Sequence, residues 1–536
     1  MKLSAFSLFS ILLISVSSAD EAPNVESFTQ CLNENSKENP ISDAIIGPDN
    51  PSFKYTFENY IKNLIFVSAP KPIIIVTPKH ESHVQATVIC CKKLGLQIRI
   101  RSGGHDYDGL SYTSKVPFVL LDMFNLRSIN VDIPSNTASA QAGATLGELY
   151  YAIANKSNVH AFPAGVCLTL GLGGHFSGGG YGNMMRKYGL SIDNILDAQI
   201  VNAKGEILDR KSMGEDLFWA IRGGGGANFG VILSWKIALV WVPEKVTCFQ
   251  VDRFKEGGAI DMLVKWQEVA TDKLDRDLFL RAMLMPGTGE DQKKFVKAVF
   301  VGMFLGDKAR LLTLLSGSFP ELGLKEEDCN EMRWVESTMI WVGMKPGLPV
   351  ETLLNRTNKA SVSYMARKSD FVQEPISKED YENIWNIMIE NGAVGMAFNP
   401  YGGRMSEIPE TDTPFPHRKG NLYKIQYSCN WKEKDAATAR KYINLTRSLY
   451  KAMTPYVSKN PRESFLNYRD FDLGSIGSNG NGSFKAADTY GHSYFKENFE
   501  RLISIKAAVD PENFFRFEQS IPVCKEASGK NVCKSV

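Results

Sequence analysis

Two short stretches limit what this chain can fold into more than anything else in it. Residues 101–112 read RSGGHDYDGLSY and residues 164–182 read AGVCLTLGLGGHFSGGGYG. The second holds seven glycines among the twelve residues from Gly171 to Gly182, and a further cluster follows at Gly223–Gly226, with Gly230 beyond. Glycine lets the backbone approach a ligand closely and lets successive N–H groups converge on phosphate oxygens. The pattern is not a Walker loop, because no Gly-Lys-Ser/Thr closes it. It is not a dinucleotide fingerprint of the strand–GxGxxG–helix kind. Nor is it a nucleophile elbow, since Ser177 in Gly-His-Phe-Ser-Gly falls one place too late for GxSxG.

His105 directly follows Ser102, Gly103 and Gly104, and Cys167 directly precedes the long glycine run. A flavin ring can be joined along its dimethylbenzene edge by an imidazole nitrogen at one carbon and a thiolate at the next. Two loops converging on that edge would present such a pair, with nearby backbone N–H groups left for the pyrophosphate. Taken alone, His105 is equally a satisfied turn histidine, and Cys167 a buried apolar cysteine or half of a disulfide.

The rest of the chain sets the context. It has 536 residues, enough for two domains or more with large cores. Its 61 basic and 59 acidic residues leave a net charge of +2, without the basic excess of a nucleic-acid binder. The opening MKLSAFSLFSILLISVSSAD reads as a secretory signal of residues 1–19, with small residues at Ser17 and Ala19 before the cut. No later apolar run reaches the roughly 20 residues of a membrane span. Asn155, Asn355, Asn444 and Asn481 each open an N-x-S/T triplet, expected to be glycosylated in a secreted protein. There are nine cysteines, an odd number, so at least one is left over after pairing.

Periodicity predicts alternating strands and helices in the first part of the chain. Strands are expected at 72–78, 97–101 and 117–123, a hairpin at 197–211, and one long strand at 230–242. Capping boxes are expected at Ser82–Gln85 and at Thr145–Glu148. Beyond about residue 245 a second, α+β region is expected, with a helix over 261–274 and a strand over 297–306. An exposed loop is expected at 474–483, then one amphipathic helix over 493–510, stopped by Asp510 and Pro511.

At the glycine-rich stretches the sequence resembles the berberine bridge enzyme-like family of plant flavoproteins, within the vanillyl-alcohol-oxidase flavin fold. Besides the two opening stretches, the matching pieces are DRKSMGEDLFWAIRGGGGANFGV, NPYGGRMSEI, FPHRKGNLYKIQY, NYRDFDLG and DPENFFRFEQSIP, in order over almost the whole mature chain. The resemblance implies an α+β protein with a two-subdomain FAD-binding domain over 20–245. It implies a substrate domain with an antiparallel sheet over 246–462, a segment over 463–523 returning to the FAD domain, and a tail over 524–536. FAD would be covalently linked through His105 and Cys167. Arg101, Ser102, Gly103, Gly104, Asp106, Gly171, Gly173, Gly174, His175, Gly178, Gly182 and Gly230 would help to bind it. A disulfide would join Cys31 to Cys90, leaving Cys91 unpaired.

The same resemblance implies an active site. Tyr468 in NYRD would take the proton from a substrate alcohol while hydride passes to the flavin. An ordinary tyrosine ionises near pH 10, so this needs a cationic neighbour, for which Lys424 is the candidate. Tyr107 and Tyr181 would line the substrate. Gln426 stands where the reticuline-converting member has a catalytic glutamate, and an amide cannot act as a base. That points away from berberine-bridge formation and toward oxidation of monolignols or carbohydrates. Two positions depart from the family's habit. Leu168 and Thr169 follow the linkage cysteine where Pro-Thr or Ser-Ser is common. Leu170 stands at an oxygen gate where valine accompanies fast reaction with O2 and leucine accompanies a dehydrogenase, so the acceptor is O2 or another oxidant.

The leading expectation is therefore a secreted, monomeric FAD-dependent oxidoreductase acting on a plant small molecule. It needs no metal and binds neither nucleic acid nor membrane. Its destination would be the cell wall, the vacuole or a vesicle. An alkaloid C–N bond or an oxidative cyclisation is the second substrate class. A flavin-holding enzyme of non-redox cyclisation is a further reading, and a glycoprotein without catalysis another, opposed by the intact Tyr468 and Lys424.

Overall fold

A computed structural model describes residues 25–271, 273–357, 362–478, 484–523, 525–527 and 530–532. The expected signal sequence, the Asn481 triplet, Cys524 and Cys533 lie outside the described residues.

The β-rich apolar runs of the first part build two sheets. In one, Ile74–Val76, Phe118–Asp122 and Gln97–Arg101 lie parallel, and Ile45–Ile46 adds an antiparallel edge. The other is antiparallel, in the order Ile129–Asp132, Thr137–Gln141, Val231–Ala238, Ile195–Val201, Ile207–Leu208. The helix Glu81–Lys93 packs on the first sheet, and the disulfide between Cys31 and Cys90 ties it to the helix Val25–Glu34. Cys91 is buried and free beside it.

From Val246 to Trp431 the chain forms a seven-stranded antiparallel sheet. Its order is Cys329–Met332, Val246–Arg253, Lys294–Phe304, Leu278–Thr288, Gly395–Pro400, Tyr423–Trp431, Tyr364–Val372. Successive side chains on a strand point to opposite faces. In Tyr423–Trp431, Tyr423, Ile425 and Tyr427 therefore join the core beneath the helices Ala259–Val269 and Lys378–Asn391, while Lys424 and Gln426 face the other way. The same alternation sends Leu280 and Ala282 to that core and leaves Arg281 on the opposite face. It does so again with Met396, Phe398 and Asn399.

The segment after residue 463 returns to the first two sheets. Arg99 and Glu518 form a buried ion pair at 2.9 Å. Gln97 donates to the Ser478 carbonyl at 2.6 Å, and Lys506 donates to the Asn228 carbonyl at 2.6 Å.

Several local expectations are corrected. The helix at 81–93 begins earlier than a cap at Ser82 would have it: His80 is the N-cap, and its Nδ1 accepts from the Ser82 N–H. The capping box at Thr145 and Glu148 is present. The strand 230–242 ends at Ala238, after which Val240–Trp241 pairs with His160–Ala161 in a separate ribbon. The helix 493–510 is the end of one helix, Phe484–Phe495, and all of another, Asn498–Val509, broken where Lys496 adopts a φ of 49°. In the described part of the loop at 474–483, Gly477 is exposed, while Ile476 and Ser478 are buried, the Ile476 N–H donating to the Glu518 carbonyl at 2.8 Å and the Ser478 hydroxyl to the Glu518 carboxylate at 2.6 Å. The arginines of QIRIR face no solvent: Arg99 meets Glu518 and Arg101 meets Asp122, at 2.7 Å. Asn155, Asn355 and Asn444 are exposed.

Candidate active site

A cavity of about 380 Å³ lies between the two smaller sheets, the returning segment and the free face of the seven-stranded sheet. Its floor is made where the two glycine-bearing loops cross. A Cβ on Gly103 would stand 2.3 Å from the Gly171 nitrogen, and one on Gly171 would stand 2.1 Å from the Ser102 oxygen. Neither position can carry a side chain, so the loops touch, and His105 and Cys167 reach the same cavity wall. The His105 Nε2 lies 2.8 Å from the Thr169 hydroxyl, which joins the loops directly.

The expected residues distribute clearly. Ser102, Gly103, Gly104, His105, Asp106, Cys167, Leu170, Gly171, Gly173, Gly174, His175, Gly178 and Gly230 line the cavity, as do Tyr107, Tyr181, Gln426 and Tyr468. Arg101 and Gly182 stand behind the wall. Arg101 is fully buried and donates to the carbonyls of Thr56 and Phe57, and Gly182 lies against the Ala164 carbonyl. Lys424 lies behind the tyrosine rings.

Burial holds the imidazoles of His105 and His175 neutral, each pushed down to about 3. The neutral state of His175 is also what its geometry needs, because its Nε2 accepts from the Gly165 N–H at 2.9 Å. At one end of the cavity three phenols gather. The rings of Tyr107 and Tyr468 are 5.8 Å apart and those of Tyr181 and Tyr468 6.3 Å, and the Tyr181 hydroxyl donates to Asn399 Oδ1 at 2.5 Å. Gln426 Nε2 donates to the Tyr107 hydroxyl at 3.0 Å. Burial and the neighbouring phenols hold Tyr468 well above its ordinary value, and Arg281 opposes them.

Arg281, which the sequence did not single out, is the fixed cation of the group. Its Nη2 donates to the Tyr181 hydroxyl at 2.5 Å and its Nε to Asn399 Oδ1 at 2.7 Å. Lys424 Nζ stands 3.5 Å from the Tyr181 ring centre and 3.8 Å from that of Phe465, with no hydrogen-bond partner among the described residues. Burial, then Arg281, drives its amine well below the usual lysine range. Gly225 and Gly226 of the second glycine cluster line the other end together with Asn228 and the stretch Phe515–Phe517, which the sequence did not single out. Asn228 accepts from the Ile521 N–H at 3.0 Å and donates to the Gly224 carbonyl at 2.8 Å, so it locks the second glycine cluster to the returning segment. The glycine cluster itself was the visible signal for that end.

The cavity suits a nucleotide cofactor. Gly174 lines it, and a Cβ built there would point into open space, while one on Gly103 or Gly171 would strike the facing loop. Residues 72–210 match the model of an FAD binding domain, and residues 464–522 match that described as berberine and berberine like. Berberine bridge enzyme-like 9 of Arabidopsis thaliana is 54% identical over 528 residues, covering 96% of this chain and 98% of the relative. The chain belongs to the berberine bridge enzyme-like family. It is thus an FAD-linked oxidoreductase of mixed α+β fold. Among solved structures, berberine bridge enzyme-like 28 of the same plant superposes with a TM-score of 0.86 at 43% identity, over 93% of this chain and all of that one. Phl p 4, a grass pollen allergen with glucose dehydrogenase activity, does so with 0.87 at 41% identity and the same coverage. Among the described residues, no helix of this berberine bridge enzyme-like protein is long and apolar enough to cross a membrane.

Proposed function

We propose that the chain is a secreted enzyme that holds FAD through both His105 and Cys167 and oxidises an alcohol of a plant small molecule, a monolignol or a carbohydrate. The observation that carries this reading is the meeting of Tyr107, Tyr181, Tyr468 and Arg281 in the cavity that His105 and Cys167 also line. FAD supplies a two-electron hydride acceptor there. The backbone N–H groups of the two glycine clusters hold its pyrophosphate. Tyr468 takes the alcohol proton as its tyrosinate, a form that burial disfavours and that Arg281, the cation opposing that burial, favours before the proton moves. Gln426 orients Tyr107, and the tyrosine rings offer flat faces for an aromatic ring or a sugar.

A carbohydrate is favoured by the glucose dehydrogenase activity of Phl p 4, a relative at 41% identity. A variant of that protein with valine in place of one isoleucine is a glucose oxidase, so acceptor choice on this scaffold turns on one aliphatic side chain. Leu170 in the cavity wall supports a dehydrogenase. Secretion is supported by the opening apolar segment, the buried disulfide and three exposed N-x-S/T triplets. In this reading residues 20–245 bind FAD, 246–462 cover the substrate, 463–523 close the cavity and 524–536 form a tail.

The test is the visible spectrum of the secreted protein under anaerobic conditions, with monolignols, oligosaccharides, benzylisoquinolines and prenylated phenols added one at a time. Bleaching by one class of alcohol establishes the reading and names the substrate. Product without bleaching would establish a non-redox cyclisation instead.

A further inference from the structure

Lys62 is only 3% exposed. Among the described residues its ammonium finds no acidic side chain to pair with. Buried lysines are rare without such a partner, so its position calls for a reason.

Its segment is clamped against the loop that carries His105 by bonds that need no lysine side chain. The Ser363 N–H donates to the Lys62 carbonyl at 3.1 Å, and the adjacent Asn63 donates to the carbonyls of Tyr107 and Met365 at 2.8 and 3.2 Å. Two residues upstream, the Tyr60 carbonyl lies so close to Gly104 that a Cβ there would be 2.1 Å from it. Residues 60–63 therefore run along the turn that carries His105. The His105–Thr169 contact brings the turn that carries Cys167 to the same place.

Burial disfavours the Lys62 charge and the Cys167 thiolate favours it, and Lys62 acts in turn on both side chains. It disfavours protonation of His105 and favours the Cys167 thiolate, against a burial that otherwise pushes that thiol up. The other cations nearby have partners of their own. Arg356 pairs with Glu148 at 2.8 Å; Arg367, which donates to the carbonyls of Ala366 and Cys429 at 2.9 and 2.7 Å, also favours the thiolate, but after Lys62.

We propose that Lys62 promotes formation of the Cys167–flavin thioether by supplying the buried positive charge that the thiolate requires. The inference rests on the bicovalent reading above. In the step concerned, Cys167 Sγ loses its proton and forms one S–C bond to the ring, and the ring carbon loses its C–H proton. The two electrons and two protons released remain on the flavin until dioxygen removes them as hydrogen peroxide. A thiolate is the nucleophile, so its availability sets the rate.

The test reads attachment rather than turnover. The secreted full-length chain is digested, and the peptides containing His105 and Cys167 are weighed separately. In the wild type both carry flavin. In Lys62→Gln the His105 peptide still carries flavin, while the Cys167 peptide is modified about tenfold more slowly, the effect of one pKa unit in the thiol. Incubating that variant at pH 9 in air completes the thioether, and Lys62→Arg behaves as the wild type. A purely structural role would not be rescued by alkali. If Lys62→Gln is not secreted, Lys62→Met, which keeps the stem without the charge, is read in the same way. Full Cys167 attachment in an uncharged variant at the wild-type rate overturns the proposal. A wild-type digest with flavin on neither peptide, or on His105 alone, overturns the bicovalent reading and this inference with it.

Discussion

The Lys424 amine stands 4.3 Å from the ring centre of Tyr468 and is held by aromatic faces rather than by hydrogen bonds. An unsatisfied buried amine costs about 1–3 kcal/mol, partly offset by the rings. Lys424→Met keeps the length and removes the polar atom. It is expected to raise thermal stability by about 1 kcal/mol while slowing anaerobic flavin reduction by substrate about tenfold. A loss of stability with unchanged reduction would show the amine to be a packing element alone.

Arg281 and Lys424 separate on a pH profile. The charge that acts on the Tyr468 phenol is that of Arg281, and the Lys424 charge is itself disfavoured by burial. Removing a cation raises the pKa of a group that must lose a proton. Arg281→Met should therefore move the acid limb of the flavin-reduction rate upward by about one pH unit, and Lys424→Met should move it less. Tyr468→Phe should cost about a hundredfold or more at every pH and leave the flavin spectrum in place.

How much of this could be read from the sequence varies with the kind of signal. The two glycine loops were legible because close backbone crossing leaves no room for any other residue, as at Gly103 and Gly171. Lys424 and Gln426 were legible as neighbours because a strand returns to the same face at every second residue. Arg281 and Asn399 were not, since each stands alone on a strand that otherwise reads as core, and only the sheet order brings them to Tyr181. The failures of local reading came where tertiary contacts overrode periodicity. The strand running on from Ala238 continues the apolar pattern, but Val240 pairs with Ala161 in another ribbon.

Leu170 lines the cavity beside the linkage loops. Leu170→Val is expected to speed reoxidation of the substrate-reduced enzyme by air about tenfold or more, a change of over 1.4 kcal/mol in barrier, and to leave the anaerobic reduction rate alone. Stopped-flow mixing of the reduced protein with aerated buffer measures the first, and substrate mixing under nitrogen measures the second.

His175 gives the protein an acid-sensitive seam. Its folded value of about 3 lies below that of a free imidazole, so the unfolded chain binds the extra proton between them. Its contribution to stability is complete above about pH 6.5 and is lost as the pH falls toward 3. His175→Gln keeps an acceptor for the Gly165 N–H and does not titrate. Its melting temperature should fall less than that of the wild type between pH 6.5 and 4, measured by differential scanning fluorimetry.

The returning segment has a consequence for biosynthesis. Tyr468 and the stretch Phe515–Phe517 line the cavity, and Glu518 pairs with Arg99 in its wall, so the wall is finished by residues translated long after the glycine loops. Everything needed to bind the cofactor's glycine cradle is synthesised first, and the lid on it arrives some three hundred residues later. A chain that stops short of Tyr468 is expected to lack one wall of the cavity, so yellow colour in the secreted protein is expected to mark chains translated past Phe517.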